Sequence, residues 1–150
     1  GRTARIDVAS ITRVAPPPEI ADVLDVRTDE ESVLRRENHY YADDEPVQIV
    51  ITYIRWLDAE GTTLLQPKAG PGGIYGRLED KGHVMRSGQD EVIARMPTRE
   101  ETTILGIPPS TPVLEVLHTS LNQDSEPFEV SRFIHRADRH TLRYTFAVDG

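Results

Sequence analysis

The sequence contains no cysteine, which excludes disulfides, thiolate metal sites and cysteine nucleophiles together. No apolar run approaches the roughly 18 residues of a membrane-spanning helix, and Gly1-Arg2-Thr3 does not read as a secretory signal. A cytoplasmic protein with no membrane partner is therefore expected. Basic residues are in the minority, 17 Lys plus Arg against 25 Asp plus Glu, for a net charge of −8. Phosphate contacts from Lys and Arg supply most nucleic-acid affinity, so the chain alone is not expected to bind DNA. Several catalytic signatures are missing as well. No Ser sits in G-x-S-x-G. The loop Gly70-Pro71-Gly72-Gly73 lacks the Gly-Lys-Ser/Thr ending of a P-loop and the G-x-G-x-x-G spacing. The five histidines, His39, His83, His118, His135 and His140, form no H-E-x-x-H and no helical H-x-x-x-H pair. No metal, no cofactor and no enzymatic activity are expected.

What is there is a duplication. Pro97 to His135 runs through a helix, a strand, a tight turn and a second strand, and Pro18 to Ile54 has the same features in the same order. Each copy opens its helix with Pro before Glu. Leu24-Asp25-Val26 then matches Leu105-Gly106-Ile107, Val33-Leu34 matches Val113-Leu114, and Asp44-Glu45-Pro46 matches Ser125-Glu126-Pro127. Two copies are too few for a solenoid. At 150 residues the chain predicts a single two-lobed α+β domain over 1–150, the units burying apolar faces against each other across a pseudo-twofold axis.

In chain order, Ala4 to Val14 reads as a strand. A free domain rarely opens so abruptly on a strand, so a preceding segment is expected. A short helix over Glu19 to Leu24 follows. Val33 to Tyr41 and Val47 to Tyr53 predict a hairpin closed by Ala42 to Pro46. Trp56 to Leu65 has helical amphipathicity, Gln66 to Gly73 is a loop, and Ile74 to Lys81 a helix stopped by Gly82. A strand near Val84 to Met96 precedes the second copy, and the alternating Thr141 to Val148 predicts a closing strand.

Two features could carry chemistry. The glycine loop before a helix could aim backbone N–H groups at an anion, or could simply be a turn. Glu129, Ser131 and Phe133 share one face of a strand, with His135 continuing the row and Phe128, Val130 and Ile134 opposite. Such a row is either solvated surface or the floor of a polar pocket.

These residues, in this order and spacing, resemble the UTRA effector-binding domain of HutC-subfamily regulators in the GntR superfamily. The resemblance rests on the two Pro-led helices, Asp44-Glu45-Pro46-Val47, Gly72-Gly73-Ile74-Tyr75-Gly76-Arg77-Leu78-Glu79, and Glu126 to Glu129 running on to Arg136 to His140. It implies a chorismate-lyase-like fold, an antiparallel sheet with flanking helices. It also implies a small-molecule effector, a homodimer, and operator DNA bound only through a winged helix-turn-helix outside this chain. A lyase of the same fold acting on a small carboxylate is the alternative. Carried over residue by residue, the pocket positions of a first-hairpin R-x-R fall on Asn38 and Tyr40, and a returning-strand acid on Val50. The Ser and Tyr of a G-S-x-Y loop fall on Gly73 and Tyr75, and a Glu and Tyr of the second hairpin on Glu129 and His135. Thr52 and Ser131 stand behind these. Arg36 is the nearest basic residue on the same strand face. With both arginines of R-x-R gone, about 3 to 6 kcal/mol of charge-assisted phosphate binding is gone too. A neutral, apolar, aromatic or cationic effector is expected in place of a phosphorylated amino sugar.

Overall fold

A computed structural model describes residues 3–150. In chain order the elements are β1 (Ala4–Val14), α1 (Pro18–Leu24), β2 (Val33–Ala42), β3 (Glu45–Arg55), α2 (Trp56–Ala59), a 3-10 turn (Thr63–Leu65), α3 (Gly73–Asp80), β4 (Ser87–Arg95), α4 (Arg99–Leu105), β5 (Val113–Leu121), β6 (Pro127–Arg136) and a closing 3-10 turn (Ala137–Arg139). The strands form one antiparallel sheet of order β1-β2-β3-β6-β5-β4. The duplication is therefore one strand longer than its sequence motif, because β1 and β4 open two equivalent β-α-β-β units. The units do not pack face to face as expected. They join edge to edge through the β3–β6 ladder, and a single continuous sheet replaces the two lobes.

Local chemistry sets each helix end. Pro18 begins α1 with its φ already helical. Thr98 and Glu101 form a reciprocal capping box at α4: the Thr98 hydroxyl accepts the Glu101 N–H at 3.2 Å and the Glu101 carboxylate accepts the Thr98 N–H at 2.9 Å. Both helices stop on a left-handed residue at equivalent positions, Asp25 (φ 54°) and Gly106 (φ 63°). The first hairpin turns on Asp43 and Asp44, both at positive φ, a tighter turn than the stretch Ala42 to Pro46 suggested.

Alternation along the strands gives the sheet two buried faces. On one, Ile20 and Leu24 of α1 pack on Val33, Tyr53 and Val130, while Leu105 and Ile107, at and just after the end of α4, pack on Ile49, Val113 and Ile134. On the other, Leu34, Ile54 and Phe128 lie under Ala59, Leu64, Ala69 and Leu78. Each fully buried large side chain contributes roughly 1.5–3 kcal/mol. Phe128 is on the opposite side from the one expected. A register shift pairs Ser120 with Glu129 but Leu121 with Pro127, so Phe128 is an extra residue that bulges onto the face of its successor. There its ring stacks on His83 at 5.2 Å.

The helical turn expected within Trp56 to Leu65 is α2, which stops short of Gly61 (φ 73°) and the 3-10 turn. One further expectation fails. Thr141 to Val148 forms no strand: Tyr144, Phe146 and Val148 are 71%, 81% and 81% exposed. The reason is topological. This segment continues from β6, which has β3 on one side and β5 on the other, so no free edge adjoins it. No helix among the described residues is long and apolar enough to cross a membrane.

Candidate functional site

The face carrying Leu34 and Ile54 also carries a polar row from each central strand. Register sets Asn38 beside Val50 and Val50 beside Phe133, and sets Arg36 beside Thr52 and Thr52 beside Ser131. Over this floor stands the first turn of α3. Gly72 (φ 82°) and Gly73 (φ 64°) take left-handed conformations that bend the chain into the helix, and a Cβ on Gly72 would come within 3.3 Å of Gly76 Cα. The bend brings Ile74 and Tyr75 over the sheet. Between floor and roof lies a cavity of about 180 Å³, floored by Asn38, Tyr40, Val50, Thr52, Ser131 and Phe133 and bounded by Ile74, Tyr75 and Glu129.

Glu129 is the electrostatic centre of this cavity. Its side chain is 1% exposed, and its partners are hydroxyls. Tyr75 donates to Oε1 at 2.7 Å, Ser120 to Oε1 at 2.9 Å and Ser131 to Oε2 at 2.5 Å, with Thr52 in turn 2.8 Å from Ser131. Among the described residues no Lys, Arg or His forms an ion pair with it. Burial pushes the Tyr75 phenol well above its ordinary range, and the Glu129 charge adds to the shift, so Tyr75 stays protonated and donates.

Of the residues expected from the sequence, Asn38, Tyr40, Thr52, Tyr75, Glu129 and Ser131 meet in this cavity. Gly73, Arg36 and His135 do not line it. Gly73 shapes the entry into α3. Arg36, 3% exposed, is committed to the neighbouring loop, donating to the carbonyls of Leu64, Gln66 (2.7 Å) and Pro67 (3.1 Å). His135 lies in an adjoining groove with Gln48 and Arg139, stacked on His140 with ring centroids 3.7 Å apart. Burial, and then the neighbouring His140, depress its pKa to about 4.

The sequence reading missed Ser120, His118 and Asp90. They extend the Glu129 network to the sheet edge: Ser120 Oγ is 3.0 Å from His118 Nε2, and His118 Nδ1 is 2.6 Å from Asp90 Oδ1. Register could have found them, since Ser120 pairs with Glu129, His118 with Ser131 and Asp90 with His118. One polar atom at the cavity has no partner: Asn38 Oδ1 is buried and unbonded.

Comparison with known proteins bears on the family and the fold. The sequence model of the UTRA domain matches residues 1–141. An uncharacterised HTH-type transcriptional regulator from Streptomyces coelicolor is 30% identical over 107 residues, 69% of this chain but only 40% of that protein. The effector domain of PhnF from Mycobacterium smegmatis superposes with a TM-score of 0.82 at 20% identity, over 98% of this chain and 89% of its own. The C-terminal domain of the histidine utilization repressor from Pseudomonas syringae does so with a TM-score of 0.77 at 22% identity, over 97% and 100%. The six-stranded antiparallel sheet with few helices is the chorismate-lyase-like arrangement that the resemblance implied. In sequence and in fold, the chain belongs to the UTRA domain family.

Proposed function

We propose that this domain senses a small-molecule effector for a GntR-family transcriptional regulator whose winged helix-turn-helix lies outside the chain. The observation that carries the reading is the cavity between the sheet and the glycine-hinged α3, spanned by the Tyr75–Glu129 hydrogen bond, in a chain of the UTRA family. The regulators among its relatives support it. So does the net charge of −8, which leaves operator contacts to another domain. Effector binding acts by favouring one of two arrangements of the regulator, and it shifts their balance only as far as its affinities for the two differ. The working form is a cytoplasmic homodimer reading a two-fold operator. The apolar side chains at every second position from Leu142 to Val148, exposed in the single chain, suit such an assembly. A lyase would need cationic anchors for a carboxylate substrate, and the cavity walls hold neither Lys nor Arg.

The test is a thermal-shift screen of the purified domain against metabolite sets. A ligand at one hundred times its dissociation constant stabilises by about 2.7 kcal/mol, and the same compound must then change operator binding by the full-length regulator in a gel-shift assay. A regulator whose DNA affinity ignores every stabilising compound would sink the reading. Specific duplex binding by this chain alone would overturn the division of labour. Light scattering that found only a 16.9 kDa species would remove the dimer.

A further inference from the structure

We propose that the effector is a cation, a primary amine on a compact apolar body, and that Glu129 is its counter-ion. The inference rests on the effector-sensing reading of this cavity and adds the ligand's charge to it.

A carboxylate as buried as Glu129 is normally held by a cation. Here the three donors from Tyr75, Ser120 and Ser131 are neutral hydroxyls. They satisfy hydrogen bonds without cancelling the charge. The guanidinium on the same face of the sheet, Arg36, lies outside the cavity and is taken up by three backbone carbonyls. The cavity is thus left with one uncompensated negative charge. Its other walls suit a cation as well: Tyr40, Tyr75 and Phe133 present aromatic rings, whose faces attract cations. Hydrogen-bond capacity points the same way. A carboxylate offers about four lone-pair sites, of which three are used, and Asn38 Oδ1 is a buried acceptor with none of its capacity used. An ammonium group is three donors and no acceptor, and so matches a wall with spare acceptors. A phosphate or carboxylate would meet Glu129 with like charge and find no Lys or Arg in the walls. The small volume, about 180 Å³, limits the apolar body to a short aliphatic chain or a single ring.

Calorimetric titration of the isolated domain at neutral pH tests this with matched probes: phenethylamine and pentylamine, the alcohols phenylethanol and pentanol, and the carboxylates phenylpropionate and hexanoate, with glucosamine phosphate as a fourth class. The amines are expected to bind at least about tenfold more tightly than the isosteric alcohols, and the anions more weakly still. Glu129→Gln should erase the preference for amine over alcohol. Because that change alters a buried network, Asn38→Leu provides a second variant that leaves the Glu129 hydroxyl partners in place. It should weaken amine binding severalfold while thermal unfolding confirms the fold. Equal affinity for amine and alcohol, or amine binding untouched by Glu129→Gln, overturns the proposal. Tighter binding of an anion, lost on Phe133→Ala, overturns the cation while leaving effector sensing in place. If no probe of any charge class binds while the metabolite screen yields a stabilising ligand that is not an amine, the proposal falls and effector sensing stands.

Discussion

The two faces of the sheet both bury charge, but they compensate it differently. Under α1 and α4, opposite charges meet directly. Arg95 holds Glu101 through two hydrogen bonds of 2.7 and 2.8 Å and reaches Glu115 at 3.1 Å, and Arg132 links Glu115 at 3.7 Å to Glu19 at 3.1 Å. Glu37 on the same face lies between Arg35 at 2.8 Å and His39 at 2.6 Å. At the cavity itself Arg and Glu are kept apart. Arg36 is held by carbonyls and Glu129 by hydroxyls, each stabilised by neutral dipoles. Paired charges brace a frame and have nothing left to offer. A charge held only by dipoles still has its field, which suits a site that must recognise something.

Changes that break this contrast should differ in kind as well as size. The largest loss is expected from Arg36→Met, which strips the carbonyls of Leu64, Gln66 and Pro67 of their shared donor. Chemical denaturation should show a destabilisation on the order of 3 kcal/mol, with the loop that leads into α3 loosened. Next is Glu101→Ala, which removes both the α4 capping box and the Arg95 pair, for about 2 kcal/mol. It should leave ligand affinity unchanged, because nothing it touches reaches the cavity.

The pH dependence separates the faces further. At Glu101, burial alone would raise the pKa, but hydrogen bonds from Arg95 and Thr98 outweigh it and hold the group below its ordinary 4.5. Its stabilisation is therefore complete above pH 4.5 and is lost as the pH falls through the depressed value. His135 acts in a different window. Its folded pKa of about 4 lies below the ordinary 6.5, so between these values the unfolded chain binds the extra proton and stability declines as the solution is acidified. His135→Gln should flatten thermal stability between about pH 6.5 and 4 and leave the carboxylate-driven loss below pH 4.5. A variant as steep as the parent over the upper window would refute the assignment. The smallest effect is expected from Tyr75→Phe. It deletes one donor to Glu129 at a half-exposed roof and should cost about 1 kcal/mol, with a larger proportional change in ligand binding than in stability.

Much of the site was legible because a β-strand has a strict period. The placement of Glu129, Ser131 and Phe133 on one face needed only alternation, whereas Tyr75 came from the resemblance to the family's glycine loop. Three things were hidden for physical reasons. Phe128 changes face because of a one-residue bulge, which leaves no mark on a hydrophobic pattern. Ser120 and His118 enter through the register of the second hairpin, which the bulge at Phe128 offsets by one residue from a count across the turn. The segment after His140 alternates as convincingly as any strand, yet alternation records fitness for a pleated surface and says nothing about which edge is free to receive it. Arg36 is the reverse case. Its place on the cavity face was foreseen, but the three carbonyls that occupy it come from a loop whose path the sequence leaves open.

The central ladder also bears on how the chain reaches this structure. Within each hairpin the strands meet across a short turn, Ala42 opposite Glu45 in the first, whereas the ladder joining the units pairs Gln48 with His135 across 87 positions. Closing so long a loop costs entropy before any contact repays it. The two hairpins should therefore form early and the β3–β6 seam last. In kinetic terms, Ile49→Ala and Ile134→Ala, which face each other across that seam, should accelerate unfolding with little change in the folding rate. Leu34→Ala, inside the first hairpin, should slow folding itself. Stopped-flow chevrons of the three variants would tell the cases apart, and slowed folding in the two seam variants would mean that the halves meet before either is complete.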